Sequence, residues 1–180
     1  GIIIKKHKLI PLYSSNEIEN KVTHMAEELS KKFLNKDPVF LGVLNGSFIF
    51  LADLIRHLSI SCDVDFVQLK SYVGMATSGE VKILKDISFD LKNRDVIIVE
   101  DIIETGITLN YLKKIIDGYR PHSVTIVTLL KKNIKTAFNF KIDMIGFEIS
   151  KDFVVGYGLD YNQKYRNLRG IYRILTNKSK

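Results

Sequence analysis

The apolar positions of this chain fall into two kinds of run. Ile18, Val22, Met25, Leu29 and Phe33 are spaced by three and four residues, as one face of a helix requires. Ser14 followed by Glu17 has the spacing of a capping box, so a first helix is predicted over residues 15–34. After Asp37 and Pro38 the short run VFLGVL reads as a strand. Asn45-Gly46 breaks it, and Phe48, Leu51, Ala52, Ile55 and Leu58 then return to helical spacing.

Residues 63–70, DVDFVQLK, alternate in part and favour a strand, whereas residues 71–80, SYVGMATSGE, hold two glycines and no period and read as a mobile loop. VKIL and DVIIVE are strand-like. TLNYLKKIIDGY is helical, with Gly118 as its stop and Pro121 just beyond, and VTIVTLL and IDMIGFEI complete the apolar runs. Near-continuous apolar strands alternating with helices predict an α/β fold with a mainly parallel twisted sheet covered on both faces. No repeat or linker divides residues 1–180, which read as one domain.

Composition narrows the class. Hydrophobic residues make up 46% and charged residues 26%, an ordinary globular balance that excludes a disordered chain. The single cysteine, Cys62, forbids an intramolecular disulfide and fits a reducing compartment; in SISCDVDF it reads as the approach to a strand rather than a nucleophile. No apolar run approaches the roughly 20 residues that span a bilayer, and the stretch in GIIIKKHKLIPL is too short for a signal peptide, so the expected location is cytoplasmic. The net charge of +7 points to anionic partners, either nucleic acid or small phosphorylated molecules, and much of the excess lies in KYRNLRGIYRILTNKSK. His7, His24, His57 and His122 have no metal-ligand spacing and are assigned to surface or capping positions.

The segment VIIVEDIIETGITL, residues 96–109, carries the chemistry. An apolar strand meets two carboxylates, Glu100 and Asp101, and a glycine between two threonines then opens a helix. In open parallel sheets, ligands bind at the carboxyl ends of strands, and a helix N-terminus with free N–H groups favours a phosphate. Paired carboxylates accept hydrogen bonds from vicinal hydroxyls, so the combination points to a ribose 5-phosphate moiety. The residues alone leave open that the pair caps the next helix or meets surface lysines.

With those residues in place, VIIVEDIIETGITL resembles the phosphoribosyl diphosphate signature of the type I phosphoribosyltransferases. GFEISKDFVVGYGLDYNQKYR at 146–166, LNGS at 44–47 and KSY at 70–72, all in the expected order, narrow the resemblance to the hypoxanthine-guanine branch over residues 8–175. The resemblance implies that the sheet carries a small hood formed by the N- and C-terminal segments. It implies that Glu100 and Asp101 hold the ribose hydroxyls, and that Ile103, Thr105, Gly106, Ile107 and Thr108 surround the 5′-phosphate. Leu44, Asn45, Gly46 and Arg166 would meet the diphosphate, the first of these peptide bonds being often cis in the family. Lys132 would donate to the purine 6-oxo group, Phe153 stack on the base and Val154 meet its edge through the backbone. Asp160 would lie in the purine site and join Glu100 and Asp101 as a ligand of Mg²⁺, and Ser71 and Tyr72 would begin a lid.

Glu104 stands where the family places an acidic residue as general base. The family most often has Asp there, so the side chain is one methylene longer here, and Ile107 replaces a commonly basic or polar residue. The implied activity is purine salvage: transfer of the phosphoribosyl group to hypoxanthine or guanine, giving IMP or GMP, in a homodimer or homotetramer without nucleic acid or membrane partners. Two alternatives accompany it: a regulator of the same fold that senses phosphoribosyl diphosphate, and a sister enzyme preferring xanthine or guanine.

Overall fold

The computed structural model describes residues 7–73 and 78–175. It confirms the first helix, α1 (Ser15–Lys32), with its capping box: Ser14 Oγ accepts from the Glu17 amide at 3.1 Å and Glu17 Oε1 accepts from the Ser14 amide at 3.2 Å. The preceding strand β1 (Lys8–Tyr13) belongs to a small sheet described below. Strand β2 (Val39–Leu44) leads into α2 (Phe48–Arg56). This helix stops before Leu58, because the Ser59 amide donates to Ser30 Oγ at 3.1 Å and draws the chain onto α1.

Residues 71–80 correct the loop expectation. Ser71 and Tyr72 fall inside β3 (Asp63–Val73) and residues 78–80 inside β4 (Ser78–Lys85), which pair antiparallel; residues 74–77 of the expected lid lie outside the described residues. Strand β5 is also longer than expected. It runs Asp95–Ile103, past both carboxylates, because its ladder with β6 (Ser123–Lys132) continues through Ile102–Leu130 and Ile103–Lys131. Between them α3 spans Ile107–Gly118. Gly118 is its last residue, and the left-handed turn after it falls on Arg120, with φ 56°.

With β7 (Met144–Ile149) these strands form a six-stranded sheet in the order β4-β3-β2-β5-β6-β7, parallel except for the edge strand β4. One face packs with α1 and α2 around Phe40, Ile97, Leu129 and Phe50. The other packs with α3 around Leu41, Ile98, Leu112 and Ile116. Both faces are thus covered, as apolar parallel strands demand. A three-stranded antiparallel sheet joins β1 to β9 (Ile171–Leu175) and β9 to β8 (Val154–Val155), so the two terminal segments form the expected hood. Among the described residues, no helix is long and apolar enough to cross a membrane.

The strand order places the site. From β2 the chain turns to β3 on one side, whereas β5, β6 and β7 build out on the other, so the order reverses between β2 and β5. Loops leaving the carboxyl ends of two such strands diverge and open a crevice.

Candidate active site

Two loops border that crevice: residues 45–47 after β2 and residues 104–106 after β5. The Leu44–Asn45 peptide is cis, as the resemblance implied. Gly46 presses against the neighbouring strand so closely that a Cβ there would lie 1.9 Å from Asp101 Oδ2. Only a glycine lets the loop and the carboxylate share this place. The Asn45 side chain is steadied by Gln68 Nε2, which donates to its Oδ1 at 3.4 Å. Ser47, fully buried at the head of α2, has a hydroxyl with no hydrogen-bond partner among the described residues.

Glu100 is buried and Asp101 partly so. Neither caps a helix, and neither makes an ion pair among the described residues, so the bland reading of the pair does not hold. Burial, and then the charge of Asp101, push the Glu100 carboxyl well above the usual carboxylate range. Burial raises Asp101 to about 6; amide hydrogen bonds from Ile102 and its own N–H, together with Arg166, pull the other way, and Asp160 adds to the rise. Two neighbouring carboxyls raised by burial, with no ion pair of their own among the described residues, fit a ligand that brings hydroxyl donors or a cation.

Gly106 begins α3 at φ 78°, a left-handed conformation, and a Cβ on it would sit 2.0 Å from Phe138 Cε1. The helix has no side-chain cap, leaving its first amide N–H groups for a ligand. Around it Thr105 and Ile107 are exposed and Thr108 partly so, while Ile103 buries its side chain in the core. The Thr105 carbonyl accepts from the Ala137 amide at 2.6 Å, which pins the turn beneath the ring of Phe138.

Opposite the turn, β5 and β6 end together. Since Ile103 pairs with Lys131, the following residues, Glu104 and Lys132, emerge side by side, and Lys132 Nζ lies 2.6 Å from Glu104 Oε1. Lys132 is 8% exposed although it stands in the charged run KKNIK. Its ammonium also lies 5.6 Å from the centroid of Phe153. Phe153 itself is 48% exposed, not core, and is held edge-on by Tyr161 at 5.6 Å. Next to it Val154 buries its side chain and pairs through its backbone with Arg173 in the hood.

Asp160 and Arg166 complete the rim. Arg166 donates to the Gly158 carbonyl at 2.7 Å and to Gln163 Oε1 at 3.1 Å, and lies 3.5 Å from Asp160 Oδ1. Asp160 Oδ2 accepts from the Gln163 amide at 2.8 Å. Gly158 in turn abuts the loop after β2, its Cβ position lying 2.5 Å from the Gly46 carbonyl oxygen.

The geometry therefore brings Asp101 and Gly46 into contact, sets Lys132 between Glu104 and Phe153, and ties Arg166 to Asp160. Ser71 and Tyr72 lie on β3. Phe138, Tyr161 and Gly158 were not singled out from the sequence; for Gly158 the signal was available in the G-Y-G string of 156–158. Cys62 is partly buried, and burial, then Asp63 and Asp37, push its thiol up, which disfavours the thiolate that a nucleophile needs. Among the described residues no three or more His, Cys, Asp or Glu side chains stand close enough to cage a metal ion. Glu100, Asp101 and Asp160 offer hard oxygen donors without a preformed cage, which fits Mg²⁺ completed by substrate oxygens.

The chain is similar to known proteins along most of its length. The phosphoribosyl transferase domain family matches residues 12–162. A hypoxanthine-guanine phosphoribosyltransferase of Bacillus subtilis is 44% identical over 159 residues, covering 87% of this chain and 88% of the relative. A hypoxanthine phosphoribosyltransferase of Escherichia coli is 40% identical over 173 residues, covering 94% of this chain and 97% of the relative. The crystal structure of a hypoxanthine phosphoribosyltransferase from Staphylococcus aureus superposes with a TM-score of 0.88 at 37% identity, covering 92% of this chain and 90% of that one.

Proposed function

The chain belongs to the phosphoribosyltransferase family, and from that premise we propose that it transfers the phosphoribosyl group of phosphoribosyl diphosphate to N9 of hypoxanthine or guanine, releasing diphosphate. The observation that carries the choice of base is Lys132: a nearly buried ammonium beside an exposed aromatic face and a carboxylate. A 6-oxopurine stacked on Phe153 offers Lys132 an acceptor, and adenine offers it a second donor. A site that donates at the 6-position disfavours adenine, because donor would meet donor there and the ammonium would gain no bond from the base.

The remaining residues take complementary roles. Glu100 and Asp101 receive the ribose hydroxyls, and the N–H groups that open α3, with Thr105 and Thr108, receive the 5′-phosphate. The loop of Leu44, Asn45 and Gly46, with Arg166, faces the diphosphate. Glu104 accepts the N–H proton of the purine ring as N9 attacks the anomeric carbon. Glu100, Asp101 and Asp160 are the carboxylates that would hold Mg²⁺ with substrate oxygens completing its shell, and the ion would supply charge neutralisation for the leaving diphosphate. The Phe153 face and the hood shield the anomeric carbon from water.

Incubation with Mg²⁺, phosphoribosyl diphosphate and one of hypoxanthine, guanine, xanthine or adenine tests the reading. Nucleotide from hypoxanthine or guanine, with adenine inert, supports it. Turnover of xanthine above hypoxanthine would make the chain the sister enzyme, and tight binding of phosphoribosyl diphosphate without turnover of any base would make it a sensor.

A further inference from the structure

A tyrosine outside the crevice occupies a backbone conformation that tyrosine rarely adopts. Tyr157 has φ 51°, between Gly156 at 96° and Gly158 at 95°. Glycine would hold this position without steric cost, whereas a residue with a Cβ is strained there. The surrounding structure therefore has to hold Tyr157 in place. Its ring is buried in the core beside α1 and α2, and its amide donates to the Leu168 carbonyl at 2.8 Å. Its hydroxyl donates to Asp53 Oδ2.

Both ends of this bond lead to the diphosphate region. Asp53 lies on α2, the helix that starts directly after Leu44–Ser47. Tyr157 precedes Gly158, which touches the Gly46 carbonyl on one side and accepts from Arg166 on the other. The hydroxyl bond thus fixes the height at which the 156–158 turn meets the loop, and with it the seat of Arg166.

We infer that Tyr157 and Asp53 are positioning residues that latch the hood's C-terminal turn onto α2 and so hold Gly46 and Arg166 in register for phosphoribosyl diphosphate. This rests on the proposed reading of the crevice. Among the described residues no hydrogen bond, ion pair or ring contact joins the pair to Phe153 or Lys132, so it sets affinity for the activated sugar and leaves the base site alone.

The local environment lets this role be separated from a merely structural one. The pair stands on the wall of a cavity of about 480 Å³ that Arg56, Glu19 and Arg169 also line. Asp53 keeps 36% of its side chain exposed, with Arg56 at 3.7 Å. Tyr157→Phe keeps the ring packing and leaves behind a solvated, partly paired carboxylate rather than a buried orphan charge, so the fold survives.

The experiment measures binding of phosphoribosyl diphosphate with Mg²⁺ by calorimetry, and both Michaelis constants, in the full chain. Wild type is measured first: absence of nucleotide formation overturns the function reading, and absence of phosphoribosyl diphosphate binding overturns the inference with it. Given wild-type binding, Tyr157→Phe weakens phosphoribosyl diphosphate about threefold to tenfold, as loss of one hydrogen bond to a charged acceptor allows, with the hypoxanthine KM changed less than twofold. Asp53→Asn, which keeps an acceptor oxygen, stays within twofold of wild type, and Tyr157→Phe/Asp53→Ala is no worse than Tyr157→Phe alone. Unchanged phosphoribosyl diphosphate binding in Tyr157→Phe, or equal rises in both Michaelis constants, would overturn the inference.

Discussion

Replacing Lys132 with Met removes the ammonium and keeps most of the stem. The stem is buried, so the packing loss is small; the charge is what changes. In the free protein its partner Glu104 is half exposed, and an ion pair with one end in water contributes at most about 1 kcal/mol. The thermal midpoint should therefore move by only a few degrees, downward by about 4 °C at most. Binding is another matter. With an oxopurine in place the ammonium would donate to the 6-oxo group in a desolvated setting, and such a charge-assisted bond contributes about 1.5 to 3 kcal/mol. At about 1.4 kcal/mol per decade this is roughly a 10- to 100-fold rise in the hypoxanthine KM. The KM for phosphoribosyl diphosphate should stay within about twofold, since no described contact links Lys132 to the diphosphate loop. Initial-rate measurements with each substrate varied in turn decide the matter. Equal rises in both constants, or a rise confined to phosphoribosyl diphosphate, would refute the placement of the base on Phe153 beside Lys132.

Other substitutions bear on the remaining parts. Glu104→Ala should lower kcat on the order of 10²-fold while thermal unfolding shows little change; an unaltered kcat would mean that water takes the purine proton. Asp101→Asn should abolish most turnover yet leave the protein as heat-stable as wild type or more so in EDTA, because the native carboxyl is held against burial; equal loss of both would show that the carboxylate is structural. Gly106→Ala should destabilise by about 2 kcal/mol, read by denaturant melts, and adding Phe138→Ala should recover the steric part; a neutral Gly106→Ala would contradict the left-handed turn. Asp65 accepts from the Ser88 amide at 2.6 Å, the Phe66 amide at 2.8 Å and Lys85 at 3.3 Å. Burial raises its carboxyl, but these bonds outweigh it and the net shift is downward. Its contribution is therefore present above the ordinary Asp range and lost as pH falls through the lowered value. Asp65→Asn should flatten the acid limb of the stability curve, and an unchanged limb would contradict the assignment.

Much of the sheet was legible because buried parallel strands write themselves as unbroken apolar runs, as VFLGVL and VTIVTLL do. The hood was legible only through resemblance. Its strands are short, KLIPLY contains a proline, and β1 pairs with β9 across most of the chain, a relation that no local period encodes. Strand β5 looked finished at Glu100 because two acids interrupt its pattern; the ladder to Leu130 and Lys131 carries it on, so the carboxylates sit inside the sheet and are desolvated. Asp101 is thus a partly buried acid within the strand rather than one at its end. The opposition of Glu104 and Lys132 follows from one register pair and was open to anyone who aligned β5 with β6. The Tyr157–Asp53 bond was not, since it joins residues 104 apart through a turn whose left-handed tyrosine has no signature in the sequence. Phe153 by composition belonged to the core as readily as to a site; its exposure, half open at the crevice, separates the two.

The central claim is that one crevice reads base, ribose and phosphates together, and a crystal structure with bound IMP tests it most directly. The account predicts the purine on the face of Phe153 with its 6-oxo oxygen within hydrogen-bond distance of Lys132 Nζ, the ribose hydroxyls at Glu100 and Asp101, and the phosphate at residues 105–108. IMP bound with its base away from Phe153, or with its phosphate away from the start of α3, would contradict it.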